Sequence, residues 1–188
     1  MRKLLLAIAV AGLLITGCLI PSLHPLYTDD TLVFDGRLVG TWDGEEGGTW
    51  VFEKEGERAY CLTHTSGESS ARFDAHLVRL GAGLFMDTFP KGEPPVEDDI
   101  CKLHIVPAHC FWRVELGDDA VGLSVIDLDW LADMIGEGKV TVRHEEVEGT
   151  TVLTASTKEL QKFMLDCAKI DEAWSDALEL TRQKTGAE

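Results

Sequence analysis

The sequence of 188 residues has little positive charge: 17 lysines and arginines stand against 33 aspartates and glutamates, a formal net charge of −16. Binding to the phosphates of nucleic acid requires clustered lysine and arginine, so this balance argues against a nucleic-acid partner. It also argues against electrostatic adhesion to anionic lipid. The acidic residues are spread along the chain rather than gathered into a tail, which is typical of a solvated surface.

The chain also lacks the usual signatures of enzyme sites. It contains no Gly-x-Ser-x-Gly nucleophile elbow, no phosphate-binding glycine loop after a strand and no Cys-x-x-Cys redox pair. Asp127 and Asp129 are conceivable as paired carboxylates, but two aspartates at the start of a helix are explained by capping. Glu97-Asp98-Asp99 lacks the spaced oxygen ligands of a calcium loop. We therefore expect a protein that is not an enzyme and needs no cofactor.

The N-terminus contains a charge-free run that is too short to span a membrane. This run, Leu4 to Thr16, has 13 residues, whereas a spanning helix needs roughly 20. It follows the basic residues Arg2 and Lys3 and ends at Ile15-Thr16-Gly17-Cys18. A basic start, a short apolar core and small residues before the cleavage point are typical of a signal peptide. The alternative is a buried apolar helix of a cytosolic domain.

Ile15-Thr16-Gly17-Cys18 resembles the lipobox of bacterial lipoproteins. In that family a diacylglycerol is attached to the cysteine thiol before a dedicated peptidase removes the leader. The resemblance therefore implies loss of residues 1–17 and a lipid anchor with palmitate-type acyl chains on Cys18, which holds a protein almost irreversibly at a membrane. Because Leu19 rather than aspartate follows the cysteine, it also implies sorting to the outer membrane, with the domain facing the periplasm.

Removal of the leader leaves 171 residues, enough for one domain, and lowers the net charge to −18 because Arg2 and Lys3 are lost. Residues 18–36 contain Pro21 and Pro25 and are interpreted as the lipidated N-terminus and a tether that can dock onto the domain. Residues 37–183 are then a single β-rich domain.

From residue 38 onward the pattern is one of short strands with period-two alternation and hairpin-sized connections. Short connections force antiparallel neighbours, so this half is predicted to be an antiparallel meander. The predicted strands are 38–43, 48–54, 58–65, 71–80, 84–89, 109–116 and 120–126. The fold class is therefore mainly β (α+β), with the meander curled into a barrel or half-barrel.

Helices are predicted after the meander. A short helix near 129–136 is followed by a hairpin at 139–146 and 150–155. Ser156-Thr157-Lys158-Glu159 is a capping box, and apolar residues recur at helical spacing beyond it, which predicts a C-terminal helix near 157–182. A break in that helix near Asp171-Glu172 is the alternative.

Gly40-Thr41-Trp42, preceded by Phe34-Asp35, resembles the opening signature of the lipocalins. In that superfamily glycine allows close packing, and tryptophan closes the base of an eight-stranded up-and-down barrel that holds a small apolar ligand. The interval between Asp35 and Gly40 is one residue shorter than in that pattern, and the predicted helix near 129–136 interrupts the hairpins. The alternative is that Trp42 is simply a core residue of an antiparallel sheet.

Cys101, His104, His109 and Cys110 form the one cluster with metal-ligand chemistry, since two thiolates and two imidazoles suit tetrahedral zinc. Their spacing matches no familiar zinc finger. In a strand, His109 and Cys110 would point to opposite faces, which makes joint ligation awkward. The preferred interpretation is a sheet cysteine beside a partly exposed histidine, with no metal.

Four cysteines remain once Cys18 carries lipid, and exported thiols are able to pair. Cys101 and Cys110 flank Pro107 and are the first pair to consider for a disulfide. Cys61 and Cys167 lie within apolar patterns, which favours buried free thiols instead.

The function expected from these features is that of a non-enzymatic envelope module that binds an apolar or amphipathic small molecule. The motivation is the set of aromatic residues on the strands, which includes Phe85, together with the Gly40–Trp42 triplet. The candidate ligand-binding residues are Trp42, Trp50, Phe52, Phe73 and Trp112. The alternatives are a protein–protein adaptor of the envelope and an enzyme without a recognisable motif.

Overall fold

The computed structural model describes residues 19–45, 47–93 and 96–184. The leader and Cys18 lie outside these residues, so the predicted lipidation remains a prediction. The strands are β1 (Leu32–Val33), β2 (Gly40–Gly44), β3 (Thr49–Glu55), β4 (Ala59–Ser66), β5 (Ser69–Leu80), β6 (Gly83–Pro90), β7 (Cys110–Leu116), β8 (Ala120–Ser124), β9 (His144–Val147), β10 (Thr150–Leu153) and β11 (Leu178–Arg182). The helices are α1 (Asp99–Lys102), α2 (Leu128–Gly136), α3 (Thr157–Cys167) and a 3₁₀ turn at Asp171–Ala173.

Eight strands form a closed antiparallel barrel. Strands β2 to β8 pair in sequence order, through hairpins except at the long connection between β6 and β7, and β11 enters between β8 and β2 to close the ring. The long strand β5 pairs with β4 through its first half and with β6 through its second half. Beyond the part of β5 that pairs with β4, β5 pairs with β1 instead, and Leu32 lies opposite Val78. The predicted β-barrel with helices is confirmed, and the ring is closed rather than half-open.

Period-two alternation gives the barrel an apolar interior. The cross-strand pairs Trp42–Trp50, Phe52–Leu62 and Leu77–Met86 have their side chains on the inner face, where neighbouring strands place them opposite one another. An eight-stranded barrel is just wide enough for side chains to fill it. The buried interior set is Leu38, Trp42, Trp50, Phe52, Tyr60, Leu62, Ala75, Leu77, Leu84, Met86, Trp112, Val114, Val121, Leu123, Val125 and Leu180.

A second apolar layer covers the outer face of β5, β6 and β7. Val78, Phe85 and Phe111 point outward from these strands and pack against α2, α3 and the segment that precedes β1. That segment, residues 19–31, is docked rather than free, since Leu26 has no exposed surface and Gln161 of α3 donates a hydrogen bond to its carbonyl oxygen at 2.9 Å. We call this segment the strap. None of the described helices is both long and apolar enough to cross a bilayer.

The prediction of a helix over 157–182 is wrong beyond residue 167. The helix begins as expected, with the capping box at Ser156 and Glu159, but it ends at Cys167. Trp174 then folds back, and its indole nitrogen donates to the Cys167 carbonyl at 3.1 Å. Leu178 continues the helical spacing only by coincidence. With Leu180 it also forms a period-two pattern, and the open edges of β8 and β2 satisfy the backbone of this segment as a strand.

Arg182, at the end of β11, holds the closure of the barrel in place. Its guanidinium lies 4.1 Å from the ring centre of Trp42, and its Nη1 donates to the Val39 carbonyl at 3.1 Å. Its Nε donates to the Asp118 carbonyl at 3.0 Å, and Nη2 donates to the Arg37 carbonyl. One side chain therefore ties the last strand to residues 37–39, to the β7–β8 hairpin and to the first tryptophan of the barrel. We call this arrangement the clamp.

Replacement of Arg182 by lysine should destabilise the protein by about 2 kcal/mol, because an ammonium group cannot reproduce the planar fork of donors that reaches three carbonyls. Urea unfolding followed by circular dichroism measures this change. Arg143→Lys is the matched control, since Arg143 is exposed and its guanidinium forms an ion pair with the exposed Glu159. An equal loss in the two variants would show that the clamp does not hold the barrel closed.

Candidate functional site

The two ends of the barrel differ in how they are closed. One end carries the clamp, residues 34–39 and the β3–β4 and β7–β8 hairpins, and we call it the clamped end. At the other end lie the β2–β3 and β4–β5 hairpins and the long β6–β7 connection. We call this other end the mouth. A ligand site inside the barrel has to be reached from one of these two ends.

Side chains fill the clamped end. Trp42 has no exposed surface, and its indole nitrogen donates to the Leu38 carbonyl at 2.9 Å. The Tyr60 hydroxyl accepts from the Asp35 amide at 2.7 Å and donates back to the Asp35 carbonyl at 3.0 Å. Burial raises the pKa of Tyr60 to about 12, so this hydroxyl stays protonated and keeps both bonds. Of the predicted ligand-binding residues, Trp42 and Phe52 have essentially no exposed surface, so neither is available to a ligand.

The mouth holds an aromatic cluster built from three strands. Trp50 of β3 packs against His64 of β4 with ring centres 4.7 Å apart, and against Trp112 of β7 at 6.0 Å in an edge-to-face arrangement. Edge-to-face contact suits the quadrupoles of the two indoles. Phe73 of β5 is half-buried on the same inner face. The structure therefore brings Trp50, Phe73 and Trp112 to the mouth, as three of the five predicted ligand-binding residues.

Hydrogen bonds fix the orientation of the Trp112 ring. Its indole nitrogen donates to the Thr88 hydroxyl at 3.1 Å, and that hydroxyl donates to the Cys110 carbonyl at 3.2 Å. Thr88 is one of the few buried polar residues of the described chain. A rotationally fixed indole beside the more exposed His64 gives the mouth one rigid wall and one polar group that a ligand could reach.

The depth of the mouth is limited by the layer beneath it. This layer has essentially no exposed surface, so the centre of the barrel is filled. It consists of Phe52, Leu62, Leu77, Met86 and Leu123. The arrangement allows a shallow site at the mouth rather than a deep one along the barrel axis.

Phe85, which belonged to the predicted aromatic set, lies elsewhere. It points to the outer face of the sheet and packs near Trp174, with ring centres 6.1 Å apart. Successive side chains of a strand point to opposite faces of the sheet, and Leu84 and Met86, on either side of Phe85, face the interior. Phe85 therefore belongs to the outer layer and cannot contribute to a site inside the barrel.

His64 was not predicted as a site residue, although the sequence contains the signal. Tyr60, Leu62 and His64 alternate along β4, so His64 shares the inner face with two large apolar residues. Gly48 leaves room for its ring, because a Cβ at that position would lie 3.0 Å from His64 Nε2 and the backbone φ there is +90°. The pairing of His64 with Trp50 depends on the β3–β4 register, which the pattern of one strand does not give.

The residues considered for zinc are separated by the structure. Cys101 is exposed on α1, and His104 is exposed just beyond it. His109 faces outward, where its Nδ1 lies 2.7 Å from the Asp87 carboxylate. Burial raises the pKa of the Cys110 thiol to about 11. Among the described residues no group of three or more histidine, cysteine or acidic side chains has the geometry to hold a metal ion.

The four cysteines of the described chain are all free. The Cys101–Cys110 disulfide that was considered is therefore not formed. Cys61 and Cys167 are buried, as their apolar surroundings in the sequence indicated, and burial raises the pKa of Cys167 to about 12. Cys101 is the exposed thiol of this set.

Asp87 and His109 form a second polar cluster, on the outer face of the barrel. Asp87 is almost fully buried. Its carboxylate accepts a hydrogen bond from the Leu26 backbone amide at 2.7 Å and also faces His109. Nearby, His76 stacks on Tyr27 with ring centres 4.3 Å apart, and burial lowers the pKa of His76. The cluster joins the strap to β5, β6 and the start of β7, so we assign it a role in docking the strap.

The mouth should be sensitive to acid through His64. Burial lowers the pKa of His64 from its ordinary value of 6.5, so as the pH falls below 6.5 the unfolded chain takes up this proton before the folded chain does. Folding stability is therefore lost from pH 6.5 downward until the pH reaches the folded-state pKa. Urea unfolding at pH 7 and pH 5 should show a smaller loss for His64→Gln than for the unmodified protein.

His104→Gln, at an exposed histidine of the β6–β7 connection, is the control and should leave the loss between the two pH values unchanged. If His64→Gln loses as much stability as the unmodified protein does, then His64 protonates equally well in the folded and unfolded states.

No protein-family model, curated protein or solved structure matches this chain.

Proposed function

We propose that this chain is a lipid-anchored, non-enzymatic binding module of the cell envelope, which holds an apolar or amphipathic small molecule at the mouth of its barrel. The observation that carries the proposal is the cluster of Trp50, His64 and Trp112, with ring centres 4.7 and 6.0 Å apart. The two indoles, each 8% exposed, and the half-buried Phe73 provide an apolar lining, and the imidazole provides a polar group beside it. This pairing suits a ligand with an apolar body and a polar end.

The filled layer beneath the mouth limits the size of the ligand. Phe52, Leu62 and Met86 have almost no exposed surface, so a long acyl chain has no channel to enter along the barrel axis. The site suits a ring system or the end of a chain that lies across the mouth. The ligand would stay partly exposed and would bind less tightly than one enclosed in a cavity.

The charge at the rim favours a particular kind of head group. Exposed carboxylates occur on the β2–β3, β4–β5 and β6–β7 connections at the mouth, at Glu45, Glu68 and Glu93. With a net charge of −18 once the leader is removed, the field of the domain repels anions. We therefore expect neutral or cationic amphiphiles to bind better than fatty acids of the same chain length.

The proposed location rests on the leader. The lipobox-like Ile15-Thr16-Gly17-Cys18 supports a lipid anchor, and Leu19 after the cysteine supports outer-membrane sorting with the domain in the periplasm. A binding module held in this way samples molecules that leave or enter the bilayer beside it.

Binding is tested by titrating residues 19–188 with a monoacylglycerol and with the fatty acid of equal chain length, following tryptophan fluorescence. A saturable change with the monoacylglycerol is expected, and the fatty acid should bind more weakly. Trp50→Phe and His64→Gln should each raise the Kd roughly tenfold, about 1.4 kcal/mol, because each removes part of the contact surface. Trp174→Phe, outside the barrel, should leave the Kd unchanged.

The absence of a saturable change with either lipid would contradict the proposal. An equal rise in Kd for all three variants would show that the ligand does not bind at the mouth, because Trp174 packs near Phe85 on the outer face of the barrel.

The second candidate function is that of a protein–protein adaptor, and the filled centre of the barrel favours it over a deep carrier. Crosslinking in intact cells distinguishes the two functions. An adaptor gives a discrete heavier band that persists when Trp50 is replaced, whereas a small-molecule module gives none.

A further inference from the structure

The β6–β7 connection exposes a group of large aliphatic side chains. Ile100 is 69% exposed, Leu103 83%, Ile105 42% and Val106 71%. They occupy α1 and the four residues that follow it, and α1 itself has no buried residue. Single exposed apolar residues are ordinary on a protein surface, but four within seven positions form a patch that is typical of an interaction site. We call it the aliphatic patch.

The patch lies beside the start of the described chain. His109, at the end of the same connection, exchanges two backbone hydrogen bonds with Ser22 of the strap, each 2.8 Å long. Leu153 of β10 accepts from the Leu23 amide at 2.9 Å and holds the strap from its other side. The beginning of the strap is therefore fixed to the connection that carries the aliphatic patch.

Leu19 indicates where the chain leaves the domain toward Cys18. Its side chain packs against the apolar cluster of the barrel interior, and Ile20 packs in the outer layer. Cys18 precedes Ser22 by four residues, a span of at most about 14 Å, and Val106 precedes His109 by three, at most about 11 Å. A lipid on Cys18 and the aliphatic patch are thus restricted to the same end of the molecule.

The charges around the patch indicate which kind of surface it fits. Glu97, Asp98 and Asp99 are exposed just before the aliphatic residues, and Lys102 is the one basic residue of α1. Carboxylates at this position are repelled by anionic lipid but not by lipid whose head group is electrically neutral overall. The patch therefore fits a zwitterionic bilayer.

We propose that the aliphatic patch is a second membrane contact, which inserts into the head-group region of the bilayer that the lipid on Cys18 enters. The inference rests on the lipid anchor of the proposed function but not on ligand binding. Two attachment points at one end orient the barrel with its mouth toward the bilayer and its clamped end away from it. A site oriented in this way receives amphiphiles from the membrane surface rather than from bulk water.

Cys101 allows a direct test on the full lipidated protein in phosphatidylcholine vesicles. It is the exposed thiol within the patch, whereas Cys61 and Cys167 are buried and the pKa of Cys110 is raised to about 11. An environment-sensitive fluorophore can therefore be attached to Cys101 at neutral pH. Spin-labelled lipids carrying the quencher near the head group should quench it several-fold more than quenchers deep in the bilayer, since an interfacial segment lies roughly 5–10 Å deep.

Three comparisons control this experiment. The same fluorophore on Glu57→Cys, made together with Cys101→Ser, reports the β3–β4 hairpin at the clamped end and should not be quenched. Serine at all four patch positions should abolish quenching at Cys101, and these exposed side chains are not needed for folding. Val147→Ser, at an exposed aliphatic residue of β9, should leave the quenching unchanged.

Three results would overturn the inference. Equal quenching at Cys101 and at position 57 would mean that the domain has no fixed orientation. A label at Cys101 that stays in water on vesicles but is shielded in intact cells would assign the patch to a protein partner. Stronger quenching on vesicles rich in phosphatidylglycerol would contradict the preference for neutral lipid.

The lipid anchor and the ligand site are tested by separate measurements, so that one proposal can be contradicted without the other. The intact mass of the protein extracted from membranes shows whether Cys18 carries lipid. The fluorescence titration of residues 19–188 tests the mouth without any anchor.

Discussion

The architecture depends on the docking of β11 between β8 and β2. Seven strands that pair in sequence order have two free edges, and the unpaired backbone groups of those edges need partners. The last strand supplies them after the chain has passed through α2, the β9–β10 hairpin and α3. Arg182 then secures the strand against Trp42 and three backbone carbonyls, so the two ends of the domain sequence hold each other.

The closure of the barrel limits where a ligand site can form. An eight-stranded ring leaves room for little besides its own side chains, and here large aromatic and aliphatic residues fill the centre and the clamped end. The mouth keeps two partly exposed groups, His64 and Phe73, beside Trp50 and Trp112, which are each only 8% exposed. The strap begins at the same end, so the aliphatic patch, the aromatic cluster and the proposed lipid anchor are related by one geometric constraint, the pairing of Ser22 with His109.

Most of the fold was predictable from the sequence because period-two alternation and short turns are local signals. The seven strands from β2 to β8 lie within a few residues of their predicted positions, and α2 and the start of α3 were also predicted. β11 was missed because Leu178 fits both a helical and a strand period, and only the unpaired edges of β2 and β8 decide between them. Trp50 and Trp112 were among the candidate ligand-binding residues chosen from the sequence. His64 and Arg182 were not, because their positions depend on register and closure, which are not local.

The central claim is that the mouth of a filled barrel holds a small molecule. Native mass spectrometry of the mature protein extracted from the envelope, compared with the denatured protein, tests it most directly. If the mouth holds a ligand, the native protein carries an additional mass that is lost on denaturation and is absent when Trp50 and His64 are both replaced. Identical masses in the native and denatured states, with only the covalent lipid present in each, would contradict it.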